Sequence, residues 1–521
     1  MFLSFFFNPY TLLLLPLLYY LLPYIRNWAI RDIPAPFPAA FTNLWLLYQC
    51  RRGRRYLAVD NAHKKYGTLV RIQPDHVSVA DADAIPIIYG HGNGFLKSHY
   101  YDAFVSIQRG LFNTRDRAEH TRKRKTISHT FSTKSIGQFE QYMHYNLQEL
   151  VKQWDRLSST ASSAGQEYAA IDSLHWFNYL AFDIIGDLAF GAPFGMLPKG
   201  KDIAEVRKTP SSPPTYASAI EVLNRRGEVS GTLGCLPTLK PYAKYLPDRF
   251  FRDGLEAVEN LAGIAVARVN ERLRQTEEGQ GANQRVDLLA RLMEGRDEKG
   301  NKLGQQELTA EALTQLIAGS DTTSNTSCAL FFWVLKTPGV MEMLQRELDG
   351  AIPEAVTIPH YEMVKDLPYL DHVISETLRI HSTSSLGLPR LVPPGPGITL
   401  SNHHFPAGTV LSVPAYTIHH SPSIWNPPHS PLSGPEFHPD VFNPDRWDEA
   451  LLTEKQKIAF IPFSYGPRAC VGRNVAEMEL ALIVATVARR YAFELREAEL
   501  RTREGFLRKP VRCRVGMRRR R

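Results

Sequence analysis

Phe463-Ser464-Tyr465-Gly466-Pro467-Arg468-Ala469-Cys470-Val471-Gly472 sets one cysteine among two glycines, an arginine and a phenylalanine, in the spacing F-x-x-G-x-R-x-C-x-G. Each fixed position has a task if Cys470 ligates a haem iron. An axial thiolate pushes electron density toward oxygen bound on the far side of the metal. The thiolate form is favoured by the metal and by nearby N–H donors. Gly466 and Gly472 let the backbone turn tightly beneath a flat macrocycle, where a Cβ would be in the way. Arg468 suits a haem propionate as a charge-assisted donor, and Phe463 can shield the sulfur from water. The apolar spacing from Val471 to Arg490 predicts a helix whose N-terminus faces the sulfur. The alternative is a buried structural cysteine in a Gly-containing turn, and the other fixed residues of the spacing weigh against it.

The chain has 521 residues, 44% hydrophobic and 22% charged, which is globular and not disordered. Its net charge of +8 gathers in clusters such as Arg51, Arg52, Arg54, Arg55 and Arg518 to Arg521. These read as solvated faces or as a surface near anionic lipid, and nucleic acid is not an expected partner. Cys50, Cys235, Cys328, Cys470 and Cys513 are scattered and show no C-x-x-C, so neither a disulfide framework nor a zinc site is indicated.

Phe2 to Ile25 is uncharged and long enough to cross a bilayer. The first basic residue, Arg26, follows the run, and no small-residue cleavage site comes after it. That predicts an uncleaved membrane anchor over residues 1–30, with Arg26 and Arg31 on its cytosolic flank. Ile33-Pro34-Ala35-Pro36-Phe37-Pro38 reads as a stiff hinge to a body spanning 31–521. In that body, 55–66 is predicted helical, and Leu69–Ile72 with His76–Val79 as a small hairpin. Gly90-His91-Gly92-Asn93-Gly94-Phe95 fails the dinucleotide fingerprint at Phe95. With no other nicotinamide or flavin motif, electrons must come from outside the chain. Helical patterns follow at about 117–131, 135–156, 170–189 and 250–275, with polar loops at Ser158–Gly165 and Gln275–Gln284.

Further candidates lie on predicted helices. His120 and Arg124 share a face at i, i+4, where the alternative is a solvated basic face. Within a helix at about 309–336, Gly319 predicts room for dioxygen beside Ala318. Asp321 and Thr322 form an acid–alcohol pair able to relay protons, against the alternative of a buried helix with incidental polar residues. Glu376 and Arg379 lie at i, i+3, and with Arg446 they are predicted to form a fork-to-fork network. Leu388-Pro389-Arg390 is followed by short strand-like runs, where Arg390 is expected to face a propionate. Residues 426–440 are predicted to be an irregular surface loop.

In order and conjunction, the acid–alcohol helix, E-x-x-R, Phe442-Asn443-Pro444-Asp445-Arg446-Trp447 and the cysteine loop resemble the cytochromes P-450 from residue 33 onward. That resemblance implies a mainly α fold, a triangular helical prism with a small β-rich lobe. It implies haem b with Cys470 as the metal ligand, and His120, Arg124, Arg390, Phe463 and Arg468 around it. Segments such as 59–67, 90–97, 111–132, 177–197, 308–329 and 502–510 look like the fungal benzoate 4-monooxygenases. This closer resemblance implies para-hydroxylation of benzoate by O2 at the endoplasmic reticulum membrane. The body would be cytosolic, and electrons would come from NADPH through a separate cytochrome P-450 reductase. The alternatives are the same chemistry on another small aromatic or lipid, or a haem-thiolate electron carrier or gas sensor, which needs no proton relay. Ser382 stands where the superfamily often has Pro, His120 where Trp is commoner, and the 426–440 loop is long.

Para attack places the substrate carboxylate far from the iron. Lys97, Ser98, Tyr100 and Tyr101, just before the His120 helix, are the expected donors to it, with Ala318 beside the ring. A solvated polar loop is the alternative.

Overall fold

The computed structural model describes residues 9–278 and 287–520, with side chains from Leu17 onward. The start of the apolar run, before Pro9, and the end of the polar loop at 275–284 lie outside the described residues. The chain is mainly helical with small sheets, as expected. The helices used below are α1 (Pro9–Arg26), α2 (Arg55–Tyr66), α3 (Arg117–Ser128), α4 (Glu140–Ser163), α5 (Ser173–Phe190), α6 (Ala219–Leu233), α7 (Arg249–Glu277), α8 (Gln305–Lys336), α9 (Pro368–Ile380) and α10 (Arg473–Arg490).

Apolar faces of α4, α5, α8, α9 and α10 meet in the main core, around Leu147, Trp154, Phe177, Leu316, Phe331 and Leu482. Two boundaries differ from the sequence expectation. Helix α4 continues through Ser158 to Ser163, absorbing most of the predicted polar loop, because Ala161 still finds a buried place. Helix α7 likewise runs on to Glu277, where Arg274 bonds Glu271 and Glu278 along the exposed face.

The β lobe is a five-stranded sheet in the order β1 (Leu69–Gln73), β2 (His76–Val79), β5 (Val410–Ser412), β4 (Arg390–Leu391), β3 (Leu96–Lys97). The predicted hairpin is its antiparallel edge pair, while β2 and β5 run parallel. Strand β3 pairs with β4 through Lys97 opposite Arg390, which brings two cations of distant sequence side by side.

Among the described residues no single helix is long and apolar enough to cross a membrane. Helix α1 presents Leu17, Tyr19 and Ile25 to solvent. The segment after it is not a free hinge. Ile30 and Ile33 are buried against the β lobe with Val77, Val79 and Trp425, and the Arg71 amide donates to the Pro34 carbonyl at 2.9 Å. The proline-rich segment is therefore part of the body's packing.

Candidate functional site

The cysteine loop is held by its own backbone and by one distant arginine. The Cys470 amide donates to the Phe463 carbonyl at 2.9 Å, and the Ala469 amide to Gly466 at 3.0 Å. Arg124 reaches from α3 to donate to the Ala469 carbonyl at 2.7 Å. Gly466 has φ +69°, and a Cβ there would lie 2.0 Å from the Tyr89 carbonyl oxygen. Close neighbouring backbone and a positive φ already require glycine at 466. Gly472 is different: a Cβ there would find only Phe131 and the Cys470 sulfur, at 3.8 and 4.0 Å. The space beside the sulfur is not filled by protein.

That space belongs to a largely apolar cavity between the cysteine loop with α10 and the middle of α8. Phe463, Cys470 and Val475 line it from one element, Ala318, Gly319 and Thr322 from the other. Burial pushes the Cys470 thiol up, while the Gly472 amide and Arg124 act in the opposite direction. A metal that takes the thiolate would resolve this tension.

One end of the cavity is cationic. Lys97, Arg390 and Arg468 line it, and His120 and Arg124 stand next to them. Among the described residues no carboxylate lies within ion-pair distance of Lys97, Arg124, Arg390 or Arg468. Their polar contacts are carbonyls and one phenol: Lys97 to Phe112, Arg390 to the Tyr101 hydroxyl at 3.0 Å, and Arg468 to Thr114 at 2.8 Å. Burial and the neighbouring Arg468, Lys97, Arg124 and Arg390 push His120 down to about 3. Burial first, then Arg390, lowers Arg468 to about 10. Buried cations without an anion are costly, and two propionates arriving here would relieve that cost. The open space beside the sulfur and the unpaired cations therefore fit haem with Cys470 as the axial ligand.

Several predicted site residues sit elsewhere than expected. Thr322 does face the cavity, with its hydroxyl donating to the Ala318 carbonyl at 2.7 Å. The Asp321 carboxylate does not line the cavity: it pairs with Lys509 and accepts from Asn325 Nδ2 at 3.1 Å. Adjacent residues on a helix point about 100° apart, so the two cannot share a face. Gly319 borders the cavity, but its missing Cβ would lie 2.6 Å from Ile185 Cδ1 of α5. Close helix packing explains that glycine without dioxygen.

The loop at 97–101 divides in the same way. Lys97 and Tyr101 face the cavity, inside its cationic end. Ser98 and Tyr100 open on a second cavity, lined also by Arg55, His76, Ser385 and Gly387. The Tyr100 hydroxyl accepts from Arg55 at 3.1 Å, and Ser98 caps the following turn. The structure therefore does not bring Ser98 and Tyr100 to the space above Cys470.

The predicted fork-to-fork network is present and fully buried. Glu376 accepts from Arg379 Nη2 at 2.7 Å, from Arg446 Nε at 3.3 Å and from Trp447 Nε1 at 2.9 Å. Both arginines also collect carbonyls from the 426–440 loop and its edges: Arg446 those of Trp425 and Phe437, Arg379 those of His419 and Pro439. The 426–440 loop is irregular and lies at the surface, as expected, and its carbonyls at Phe437, His438 and Pro439 tie it to this network.

Two cavity residues were not anticipated. Glu479 of α10 accepts from Thr323 Oγ1 at 3.3 Å, leaves Oε1 without a partner, and is pushed up to about 8 by burial. Gln315 of α8 is buried with neither amide atom bonded. The signal for Glu479 was a lone acid on the apolar face that runs through Val475, Met478 and Leu482.

A family model described as Cytochrome P450 matches residues 34–517 of the chain. Benzoate 4-monooxygenase bphA of Aspergillus niger is 66% identical over 516 residues, covering 99% of this chain and 98% of that protein. Cytochrome P450 monooxygenase ORF9 of Penicillium roqueforti is 30% identical over 476 residues, covering 90% and 84%. Cytochrome P450 monooxygenase traB of Penicillium crustosum is 30% identical over 485 residues, covering 90% and 87%.

Proposed function

The chain belongs to the cytochrome P450 family, and on that basis we propose that it hydroxylates benzoate at the para position, giving 4-hydroxybenzoate. The observation that carries the choice of substrate is 66% identity over 99% of the chain to a benzoate 4-monooxygenase. The largely apolar cavity over Cys470, with cations at one end, is consistent with an aromatic acid as substrate.

Haem, when bound, supplies thiolate-assisted cleavage of dioxygen and transfer of one oxygen atom to the substrate. Cys470 provides the sulfur ligand. Arg390, Arg468, Arg124 and Lys97 would hold the propionates, and His120, kept neutral by burial and its charged neighbours, would offer a ring nitrogen beside them. The wall of α8 at Ala318 leaves room beside the ring. Thr322 presents a hydroxyl that is already hydrogen-bonded to Ala318 and can turn into the cavity to pass a proton. Glu479 of α10, raised to about 8, keeps a proton at neutral pH and is linked by a hydrogen bond to Thr323 of α8, next to Thr322. Asp321 joins this path only when its carboxylate leaves Lys509.

Electrons come from NADPH through a separate reductase, and residues 1–30 tether the body to the endoplasmic reticulum membrane. The exposed apolar side chains of α1 support that tether. A carbon monoxide difference spectrum, followed by turnover of benzoate with a reductase and NADPH, tests the reading. A thiolate-type band and 4-hydroxybenzoate as the main product are expected. Absence of the band, or hydroxylation away from the para carbon, overturns it.

A further inference from the structure

A benzoate carboxylate entering an apolar cavity must exchange water for a donor there, so the polar side chains of the wall decide how the ring is held. On α8 most are already committed. Thr314 and Thr322 donate to the carbonyls of Ala310 and Ala318, and Glu311 accepts from the Leu111 amide and pairs with Lys123 at 3.0 Å. Gln315 stands apart from them. It lines the cavity one turn before Ala318, is only 8% exposed, and has no partner for either Nε2 or Oε1. Nine-tenths or more of buried polar groups are bonded. An amide left bare at both atoms therefore asks for a partner that the chain does not supply. The same cavity is lined by the cations Lys97, Arg390 and Arg468, and the acid of α8 that lines it, Glu311, is already paired with Lys123.

We propose that Gln315 Nε2 donates to the carboxylate of the aromatic acid, making Gln315 the residue that selects benzoate over a neutral ring of the same size. The inference rests on the benzoate reading and adds to it the group that reads the acid. A cavity built to bond a polar substituent discriminates far more strongly than one that only fits a shape. The amide's hydrogen bond, and not the cavity's volume, then sets the preference.

The test uses the haem-loaded full chain and reads binding by equilibrium dialysis and by the haem absorption shift. The carbon monoxide band certifies each variant's fold. Parent, Gln315→Leu and Gln315→Glu are titrated with benzoate, toluene and benzamidine, the last being a cation with the shape of benzoate. Gln315→Leu should weaken benzoate by about tenfold or more and leave toluene within about twofold. Gln315→Glu should weaken benzoate further and gain affinity for benzamidine, since an acid now faces a cation. Benzoate binding by Gln315→Leu equal to that of the parent overturns the assignment. A parent that does not bind benzoate at all overturns the underlying reading, and the assignment with it.

Discussion

Burial moves the Glu479 carboxyl up toward physiological pH. Its carboxyl sits at about 8 against an ordinary 4.5, because burial leaves it only the Thr323 hydroxyl as a partner. The folded protein therefore binds a proton here that the unfolded chain releases between those values. Its contribution to stability is complete below about 4.5 and is lost as pH rises through 8. Melting temperature measured from pH 5 to 9 should fall with pH more steeply in the parent than in Glu479→Gln, whose amide keeps the Thr323 bond without titrating. Parallel curves would mean that Glu479 is not protonated in the fold. Cys470, Arg468 and Phe463 were readable because one short spacing fixes the whole loop. Asp321 turns away from the cavity that Thr322 faces because neighbouring letters in a sequence point different ways on a helix. Ser98 and Tyr100 were misjudged because the loop turns alternate residues toward two different cavities. Gln315 and Glu479 carry no motif: what singles them out is a missing partner, and partners are a tertiary property.

At the scale of elements, α8 touches α5 so closely that one glycine decides the fit. In Gly319→Ala the new methyl would stand 2.6 Å from Ile185 Cδ1. Overpacking of this kind costs about 1–3 kcal/mol, against a gain of about 1 kcal/mol in helix propensity. Urea unfolding should show a net loss in Gly319→Ala that disappears, or becomes a gain, in an Ile185→Ala background. Equal effects in both backgrounds would remove Ile185 as the cause. The Glu376 network is the second element-scale device. Glu376→Ala leaves Arg379 and Arg446 buried and without their carboxylate, at about 3–5 kcal/mol. It should lower haem-loaded yield and release the 426–440 loop to protease. Undiminished yield with an uncut loop would contradict that role. The helix carrying Glu376 and Arg379 was legible from its spacing. Capture of the loop was not, because backbone carbonyls leave no trace in the letters.

Over the whole molecule, the expected division into anchor and body shifts toward the N-terminus. Ile30 and Ile33 are buried in the β lobe, at 1% and 5% exposure, although they follow directly on α1. Removing residues 1–26 should free the protein from membranes and leave the haem spectrum and unfolding midpoint unchanged. Removing residues 1–33 should also take two buried isoleucines out of the lobe, at about 2–5 kcal/mol for each core aliphatic truncated. Membrane flotation and chemical unfolding of the two truncations check this. Two equally stable proteins would show that the lobe does not depend on Ile30 and Ile33.

Phe506 and Leu507 close the cavity from the far end of the chain, beyond every other residue that lines it. Close to them, Lys509 holds Asp321, and Arg508 donates to the Ile380 carbonyl at 3.2 Å. A ribosome delivers residues in order, so the compartment stays open on one side until Phe506 and Leu507 have emerged. A nascent chain halted before Phe506 would leave the cavity over Cys470 open on that side.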